Sequence, residues 1–177
     1  MSDFWVFGYG SLMWRPGFDH VETRHATLYG AHRALCVISH VHRGTRDRPG
    51  LVLGLDRGGA CRGIAFRVAG TKRDDVLAYL QAREQVTRVY AECWRSVRLT
   101  PDGETVSALC YLVDRTHEQY GGVLAMDEQL RLIRQGVGQS GPNPDYVLNT
   151  LAHMREMGIR DAHLEAIGAA LERDPPI

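Results

Sequence analysis

The chain has 177 residues, of which 44% are hydrophobic and 24% are charged, and this composition is typical of one globular domain with a substantial core. Lys plus Arg and Asp plus Glu each number 21, so we expect neither a basic surface for nucleic acid nor an acidic tail. No apolar run is long enough for a membrane span, and no basic segment followed by an apolar block predicts a secretory signal.

The first predicted element is a short strand that ends in a glycine-containing turn. Its residues are Val6, Phe7, Gly8, Tyr9, Gly10, Ser11 and Leu12. The aromatic and branched side chains suit a buried strand, whereas two glycines at its end favour a close approach of the backbone to another group. N–H groups in such a turn form a small concavity that suits a carboxylate. An ordinary turn after a strand is the alternative that this short motif leaves open.

Further strands are predicted through the first two thirds of the chain. They lie at residues 28–39, 51–55, 63–68, 88–99 and 104–113. A loop through Gly58-Gly59 is expected between the second and third of these strands, and Thr100-Pro101-Asp102-Gly103 is a turn between the last two. Residues 106–113 are apolar on both faces, which favours a central or barrel strand.

Helices are predicted once between the strands and three times in the last third of the chain. The first covers residues 72–84, and the later ones cover Asp127–Gly136, a segment from Asn143 to Gly158, and Asp161–Glu172. Asn143 is the expected N-cap of the third helix, with Pro144 as its first helical residue. We therefore expect one α+β domain over residues 1–177, with a mostly antiparallel, barrel-like sheet and helices packed on it.

The four cysteines are expected to be buried, reduced thiols in a cytoplasmic protein. Cys36, Cys61, Cys93 and Cys110 each lie singly in a strand-like stretch, and this spacing matches neither a disulfide framework nor a zinc site.

Glu84 is the strongest candidate for acid/base chemistry. The apolar stripe of the first helix passes through Val76 and Leu80, and a further step of four residues reaches Glu84. Burial and the nearby helix C-terminus both raise the pKa of such a carboxyl, as a general base that later returns its proton requires. Two alternatives remain open, namely an exposed frayed helix end or a simple ion pair with Arg83 or Arg88.

Other residues offer weaker candidate sites. Glu92, beside Trp94 on a predicted strand, is a rival carboxylate or a surface group near a turn. His40 and His42 share one face of an extended segment, but no clear third metal ligand is near them in sequence. Ser11 lacks the surroundings of a serine nucleophile.

The arginine-rich loop at residues 43–50 is typical of a solvated loop, although its guanidinium groups could also clamp a carboxylate.

These segments together resemble the ChaC family of glutathione-specific γ-glutamylcyclotransferases, in particular its bacterial branch. The matching segments are residues 6–16, Arg43-Gly44, Pro49-Gly50, residues 63–67, Tyr79-Leu80, Arg83-Glu84, residues 90–94 and residues 138–146. The resemblance spans nearly the whole chain in order, and residues 6–16 with the Arg-Glu pair are its specific parts.

The resemblance implies a γ-glutamylcyclotransferase-like fold and cleavage of glutathione to 5-oxoproline and cysteinylglycine by internal cyclisation. This reaction calls for no metal or organic cofactor, and we expect none. It implies that the loop after the first strand holds the γ-glutamyl group and that Glu84 is the acid/base. Arg43 is expected to meet the glycine carboxylate of glutathione and Tyr146 to line the pocket, on motif position and side-chain type. Ser11 is expected to position the substrate.

Two other functions remain open. One is a cyclotransferase of the same fold that acts on other γ-glutamyl amines or dipeptides. The other is a non-catalytic domain that binds a carboxylate. The oligomeric state is left open.

Overall fold

The computed structural model describes residues 1–84 and 86–174. The chain forms an α+β fold with a closed five-stranded barrel, as predicted. The strands are β1 (Phe4–Gly8), β2 (Glu22–Ser39), β3 (Gly50–Val68), β4 (Tyr90–Leu99), β5 (Thr105–Val113), β6 (Val137–Gly138) and β7 (Gly141–Pro142). The helices are α1 (Arg73–Glu84), α2 (Met126–Gln135), α3 (Asn143–Glu156) and α4 (Ala162–Arg173). Short 3-10 helices at Ser11–Met13 and Gly70–Lys72 precede β2 and α1 respectively.

The barrel order is β1–β3–β2–β4–β5, and β6 and β7 form a separate two-stranded sheet. β1 is antiparallel to β3 and parallel to β5, where Trp5 pairs with Ala108 and Val6 with Leu109. β4 is antiparallel to both β2 and β5. The apolar pattern of residues 106–113 therefore belongs to a strand paired on both sides, as expected.

The predicted loop through Gly58-Gly59 is wrong, because β3 is one continuous strand through these glycines. Gly58 and Gly59 have φ values of 97° and 71°, which a glycine adopts without the steric penalty that a Cβ brings. The strand is therefore able to pass through an irregular stretch and continue its pairing with the barrel.

The chain contacts group into two compact units. The first unit comprises Met1–Ala34 and Gly54–His117. The second comprises Leu35–Leu53 and the described residues from Glu118 onward. The single domain predicted over residues 1–177 stays a prediction.

The first unit contains two apolar clusters on the two faces of the barrel wall. The inner cluster includes Phe7, Leu55 and Cys110. The other cluster joins the stripe of α1, through Val76 and Leu80, to side chains of β1 and β5. Burial of this stripe holds α1 against the sheet, and it fixes the direction in which the C-terminal end of the helix points.

The second unit contains the last three helices. Buried residues include Ile133 of α2, Leu151 of α3 and Ile167 of α4. Asn143 differs from its predicted role, because Pro142 is the N-cap of α3 and the buried Asn143 amide instead bonds to the backbone of Leu51. Within the described residues, no helix is both long and apolar enough to cross a membrane.

Candidate active site

The turn after β1, which we call the glycine loop (residues 8–12), presents backbone N–H groups. Its own hydrogen bonds use carbonyl oxygens: Met13 N–H donates to Gly10 O at 2.9 Å, and Arg15 N–H donates to Ser11 O at 2.8 Å. Among residues 1–84 and 86–174, no acceptor receives the N–H of Gly10, Ser11 or Leu12. A Cβ added to Gly10 would meet no atom within 4 Å, so the space beside this residue is open. The loop therefore has both the donors and the room that an anion needs.

Residues of β2 and β3 pack closely against the glycine loop and hold it in place. A Cβ at Gly63 of β3 would lie 2.3 Å from Gly8 O and 2.8 Å from the Phe7 ring, so only glycine allows this approach. The Arg33 side chain of β2 donates from Nε to Tyr9 O at 2.6 Å and from Nη2 to Arg62 O at 2.8 Å.

Sequence reasoning missed Arg33. The residue is only 8% exposed, and it lies on the same strand face as the buried residues Ala31 and Leu35. A charged residue between two apolar residues of one buried face was the signal that could have identified it.

Glu84 lies where the helical stripe predicts. Val76 and Leu80 are buried, and the Glu84 side chain, one turn later, is 19% exposed. Burial raises the pKa of Glu84 above its ordinary value because desolvation disfavours the charged form, and the charge of Arg83 opposes this effect. The helix extends through Glu84, so its carboxyl is not an exposed group beyond a frayed end.

Arg83 connects Glu84 to the glycine loop. Its Nη2 donates to Ser11 Oγ at 2.9 Å, and its Nη1 donates to Arg15 O at 2.6 Å and to Tyr79 Oη at 3.2 Å. Its Nε lies 3.8 Å from Glu84 Oε1, so the ion pair considered from sequence exists but is long. The same side chain therefore contacts both parts of the predicted site.

Tyr111 of β5 adds a hydroxyl that sequence reasoning did not select. Its Oη donates to Glu92 Oε2 at 3.1 Å, and Gln81 Nε2 donates to the same oxygen at 3.4 Å. Burial, followed by the charges of Glu92 and Glu84, raises the pKa of Tyr111 well above its ordinary value, so the phenol stays protonated. The rival carboxylate, Glu92, is exposed, in contrast to Glu84.

Arg43 and Tyr146 come together in the second unit. The Arg43 guanidinium lies over the Tyr146 ring at 5.5 Å from its centroid, and Arg43 Nη1 donates to Pro142 O at 3.1 Å. The Tyr146 hydroxyl accepts the N–H of Leu53 at 3.0 Å. These contacts fix the two side chains relative to each other, and their contact with a substrate stays a prediction.

The geometry gives no support to a metal site at His40 and His42. His42 Nδ1 lies 3.1 Å from Ser140 Oγ, which makes it a partner of a neighbouring turn. Within the part of the chain that the structure describes, no three His, Cys, Asp or Glu side chains are grouped as metal ligands.

Comparisons with known proteins agree with the resemblance in sequence. The family described as ChaC-like protein matches residues 4–174. The glutathione-specific γ-glutamylcyclotransferase of Escherichia coli is 32% identical over 169 residues, covering 96% of this chain and 73% of that protein. The glutathione-specific γ-glutamylcyclotransferase 1 of Danio rerio is 34% identical over 177 residues, covering 96% of this chain and 89% of that protein.

A solved structure supports the fold. The γ-glutamyl cyclotransferase specific to glutathione from yeast superimposes with a TM-score of 0.86 at 22% identity, covering 98% of this chain and 97% of that one. The predicted γ-glutamylcyclotransferase-like fold is confirmed by this similarity.

Proposed function

This chain belongs to the ChaC-like family, and we propose that it cleaves glutathione by intramolecular cyclisation with Glu84 as the general acid/base. The observation that carries the proposal is the mostly buried Glu84, linked through Arg83 to Ser11 of the glycine loop. A carboxyl with a raised pKa thereby lies near a turn whose N–H groups suit a carboxylate.

The reaction needs no protein nucleophile. The α-amino nitrogen of the γ-glutamyl group attacks its own γ-carbonyl carbon, which forms a five-membered ring. The amide bond to cysteine then breaks, and 5-oxoproline and cysteinylglycine are released. Holding the chain in this folded geometry can lower the barrier by up to about 7–11 kcal/mol.

Glu84 moves one proton in each half of this reaction. It first takes a proton from the substrate ammonium, so that the free amine attacks the carbonyl carbon. It then delivers this proton to the departing cysteinyl nitrogen and returns to its ionised form, while the ring nitrogen loses its second proton to water and becomes the lactam N–H. A raised pKa suits both steps, because the proton must be accepted and released by the same group.

The glycine loop binds the α-carboxylate of the γ-glutamyl group. The N–H groups of Gly10, Ser11 and Leu12, which no acceptor receives among the described residues, support this role. Val6 and Phe7 lead the strand into the loop, and both are buried. The Ser11 hydroxyl accepts from Arg83, which supports a positioning role for Ser11.

Arg43 meets the glycine carboxylate, and Tyr146 lines the pocket, in the same proposal. Their support is the contact between the two side chains, which holds the Arg43 guanidinium in a defined direction. A cytoplasmic location is also part of the proposal, and the four free cysteines support it.

The test is an assay of 5-oxoproline with glutathione and, separately, with γ-glutamyl dipeptides such as γ-glutamylalanine. We expect the wild-type protein to prefer glutathione. Glu84→Gln keeps the size of the side chain and removes the base, so we expect turnover to fall by about 10²–10⁴-fold. Glutathione binding to this variant, measured by calorimetry, should remain.

Two outcomes would replace the proposal. A clear preference for the dipeptides would assign the protein to other γ-glutamyl amines. Binding of glutathione without turnover, unchanged in Glu84→Gln, would make the protein a carboxylate-binding domain.

A further inference from the structure

A cavity lies in the first unit, on the opposite face of the β4–β5 hairpin from Glu84. Its volume is about 400 Å³, and its lining includes Cys93 of β4 and Leu112 of β5. Both side chains pack against the inner apolar cluster of the barrel. Neighbouring residues in a strand point to opposite faces, and Glu92 and Tyr111 accordingly face α1, where Gln81 and Leu80 contact them.

Three guanidinium groups line this cavity, from Arg57, Arg95 and Arg115. Arg115 is held in place, because its Nε donates to the buried carboxylate of Asp56 at 2.8 Å and its Nη2 donates to Arg57 O at 3.3 Å. Arg115 therefore contributes a fixed positive charge that is partly balanced by Asp56.

The other two arginines lack such a partner. Within residues 1–84 and 86–174, no carboxylate lies within 4.0 Å of the guanidinium of Arg57 or of Arg95. The Arg95 guanidinium lies beside the Cys93 thiol, which is a weak acceptor. Two exposed guanidinium groups at one cavity thus keep most of their hydrogen-bonding capacity.

The negative charge at the cavity does not cancel these arginines. Asp114 is the acidic residue of the lining, and its carboxylate accepts the N–H and the hydroxyl of Thr116 at 2.9 and 2.7 Å. The lining therefore carries three guanidinium groups against one half-buried carboxylate that is already engaged with Thr116.

We propose that this cavity binds a small organic dianion. Guanidinium groups match the planar carboxylate and the tetrahedral phosphate alike, and two of them favour two negative charges over one. The volume lies in the range of small-molecule sites, and the apolar lining at Ala91 and Leu112 accommodates a short carbon chain. The site is independent of the cyclisation proposed above, because it uses neither Glu84 nor the glycine loop.

The test uses succinate and inorganic phosphate as probes, titrated by calorimetry at constant ionic strength. We expect the wild-type protein to bind at least one of them. Arg57→Gln and Arg95→Gln should each weaken that binding by about tenfold or more, since a hydrogen bond to a charged group is worth that factor. Tighter binding of succinate would indicate a dicarboxylate ligand, and tighter binding of phosphate would indicate a phosphorylated ligand.

Two further variants locate the site. Arg98→Gln removes an exposed guanidinium from the same strand but outside the cavity, and we expect it to leave binding unchanged. Glu84→Gln should also bind the probe with wild-type affinity, because Glu84 lies on the other face. Thermal melts confirm that each variant is folded. Arg115 is not substituted, because its loss would remove the ion-pair partner of the buried Asp56 carboxylate.

Three results would overturn the proposal. The first is that neither probe binds the wild-type protein. The second is that Arg57→Gln and Arg95→Gln bind as tightly as Arg98→Gln, which would mean non-specific attraction. The third is that Glu84→Gln loses the binding, which would place the anion in the site of the cyclisation.

Discussion

Arg83 donates a hydrogen bond to the hydroxyl of Ser11 at 2.9 Å, across 72 residues of chain. This bond joins the last turn of α1 to the turn that follows β1. Since Glu84 is the next residue of the helix, the position of the proposed acid/base relative to the glycine loop depends on Arg83.

Replacing Arg83 should therefore damage activity without removing any reacting group. In Arg83→Met, the bonds to Ser11, Arg15 and Tyr79 are lost, and we expect kcat/KM to fall by about 10–100-fold, because hydrogen bonds to a charged group contribute about 1.5–3 kcal/mol. Steady-state kinetics measures the effect. Ser11→Ala removes only one of the bonds and should lose less, so an equal or larger loss in Ser11→Ala would contradict the positioning role of Arg83.

The raised pKa of Glu84 predicts how activity and stability change with pH. Burial makes the folded state bind the proton of Glu84 more tightly than the unfolded state does. The contribution of this group to stability is therefore greatest below its ordinary pKa of 4.5, and it is lost as pH rises through the raised value.

Urea unfolding of wild-type protein and Glu84→Gln at several pH values tests this sign. We expect the variant to gain stability relative to the wild type as pH rises from about 4 to 8. The acid limb of kcat/KM should lie above the usual glutamate range, since the ionised form accepts the proton. A stability difference that is constant over this pH range would argue against a raised pKa.

Glu92 provides a direct comparison between two carboxylates of the same region. Glu92 is exposed and accepts from Tyr111 and Gln81, and a glutamine in its place still offers an acceptor oxygen. We expect Glu92→Gln to change kcat by no more than about twofold, as is usual for exposed substitutions. A loss in this variant as large as that in Glu84→Gln would transfer the acid/base role to Glu92.

Gly10 tests whether the open space beside the glycine loop is used by the substrate. Its backbone has φ −130° and ψ −134°, which lies outside the broad β region, whereas an added Cβ would meet no atom of the protein within 4 Å. Gly10→Ala should therefore lower the thermal stability slightly, through its backbone conformation and not through a clash. We expect its KM for glutathione to rise by about tenfold, since crowding a filled site by one methyl group costs about 1–3 kcal/mol. An unchanged KM would indicate that the substrate does not lie there.

Asn143 is expected to stabilise the second unit. Its amide is fully buried, accepts the N–H of Leu51 at 2.7 Å and donates to Leu51 O at 2.9 Å. In Asn143→Ala, both groups of Leu51 would be left unsatisfied, and we expect a loss of about 2–4 kcal/mol in the free energy of unfolding. Asn149→Ala, on an exposed position of the same helix, is the control and should cost much less.

The sequence predicted those features that follow from periodicity. The stripe through Val76 and Leu80 placed Glu84 on the buried side of α1, and helices close to the expected bounds are present. The continuous β3 was not predicted, because Gly58-Gly59 read as a break although glycine backbone also permits an irregular strand.

Contacts between distant parts of the chain were beyond this kind of reasoning. The bond from Arg83 to Ser11 and the bond from Arg33 to Tyr9 join segments that no local pattern relates. Asn143 shows the same limit. Its local sequence suits an N-cap, but its side chain instead forms hydrogen bonds to the backbone of Leu51 in β3. The roles assigned to Arg43 and Tyr146 stay predictions, because their observed contacts are with each other and with nearby backbone.

The parallel pairing of β1 with β5 has a consequence for the order in which the protein acquires its site. Trp5 of β1 pairs with Ala108 of β5. About 100 further residues must therefore be synthesised and folded onto β1 before this strand is paired on both sides. During synthesis, the glycine loop leaves the ribosome about 100 residues before β5, the strand that completes the sheet beside it. We therefore expect nascent chains that stop before β5 to lack a formed site, and refolding of the barrel to be slow relative to helical proteins of this size.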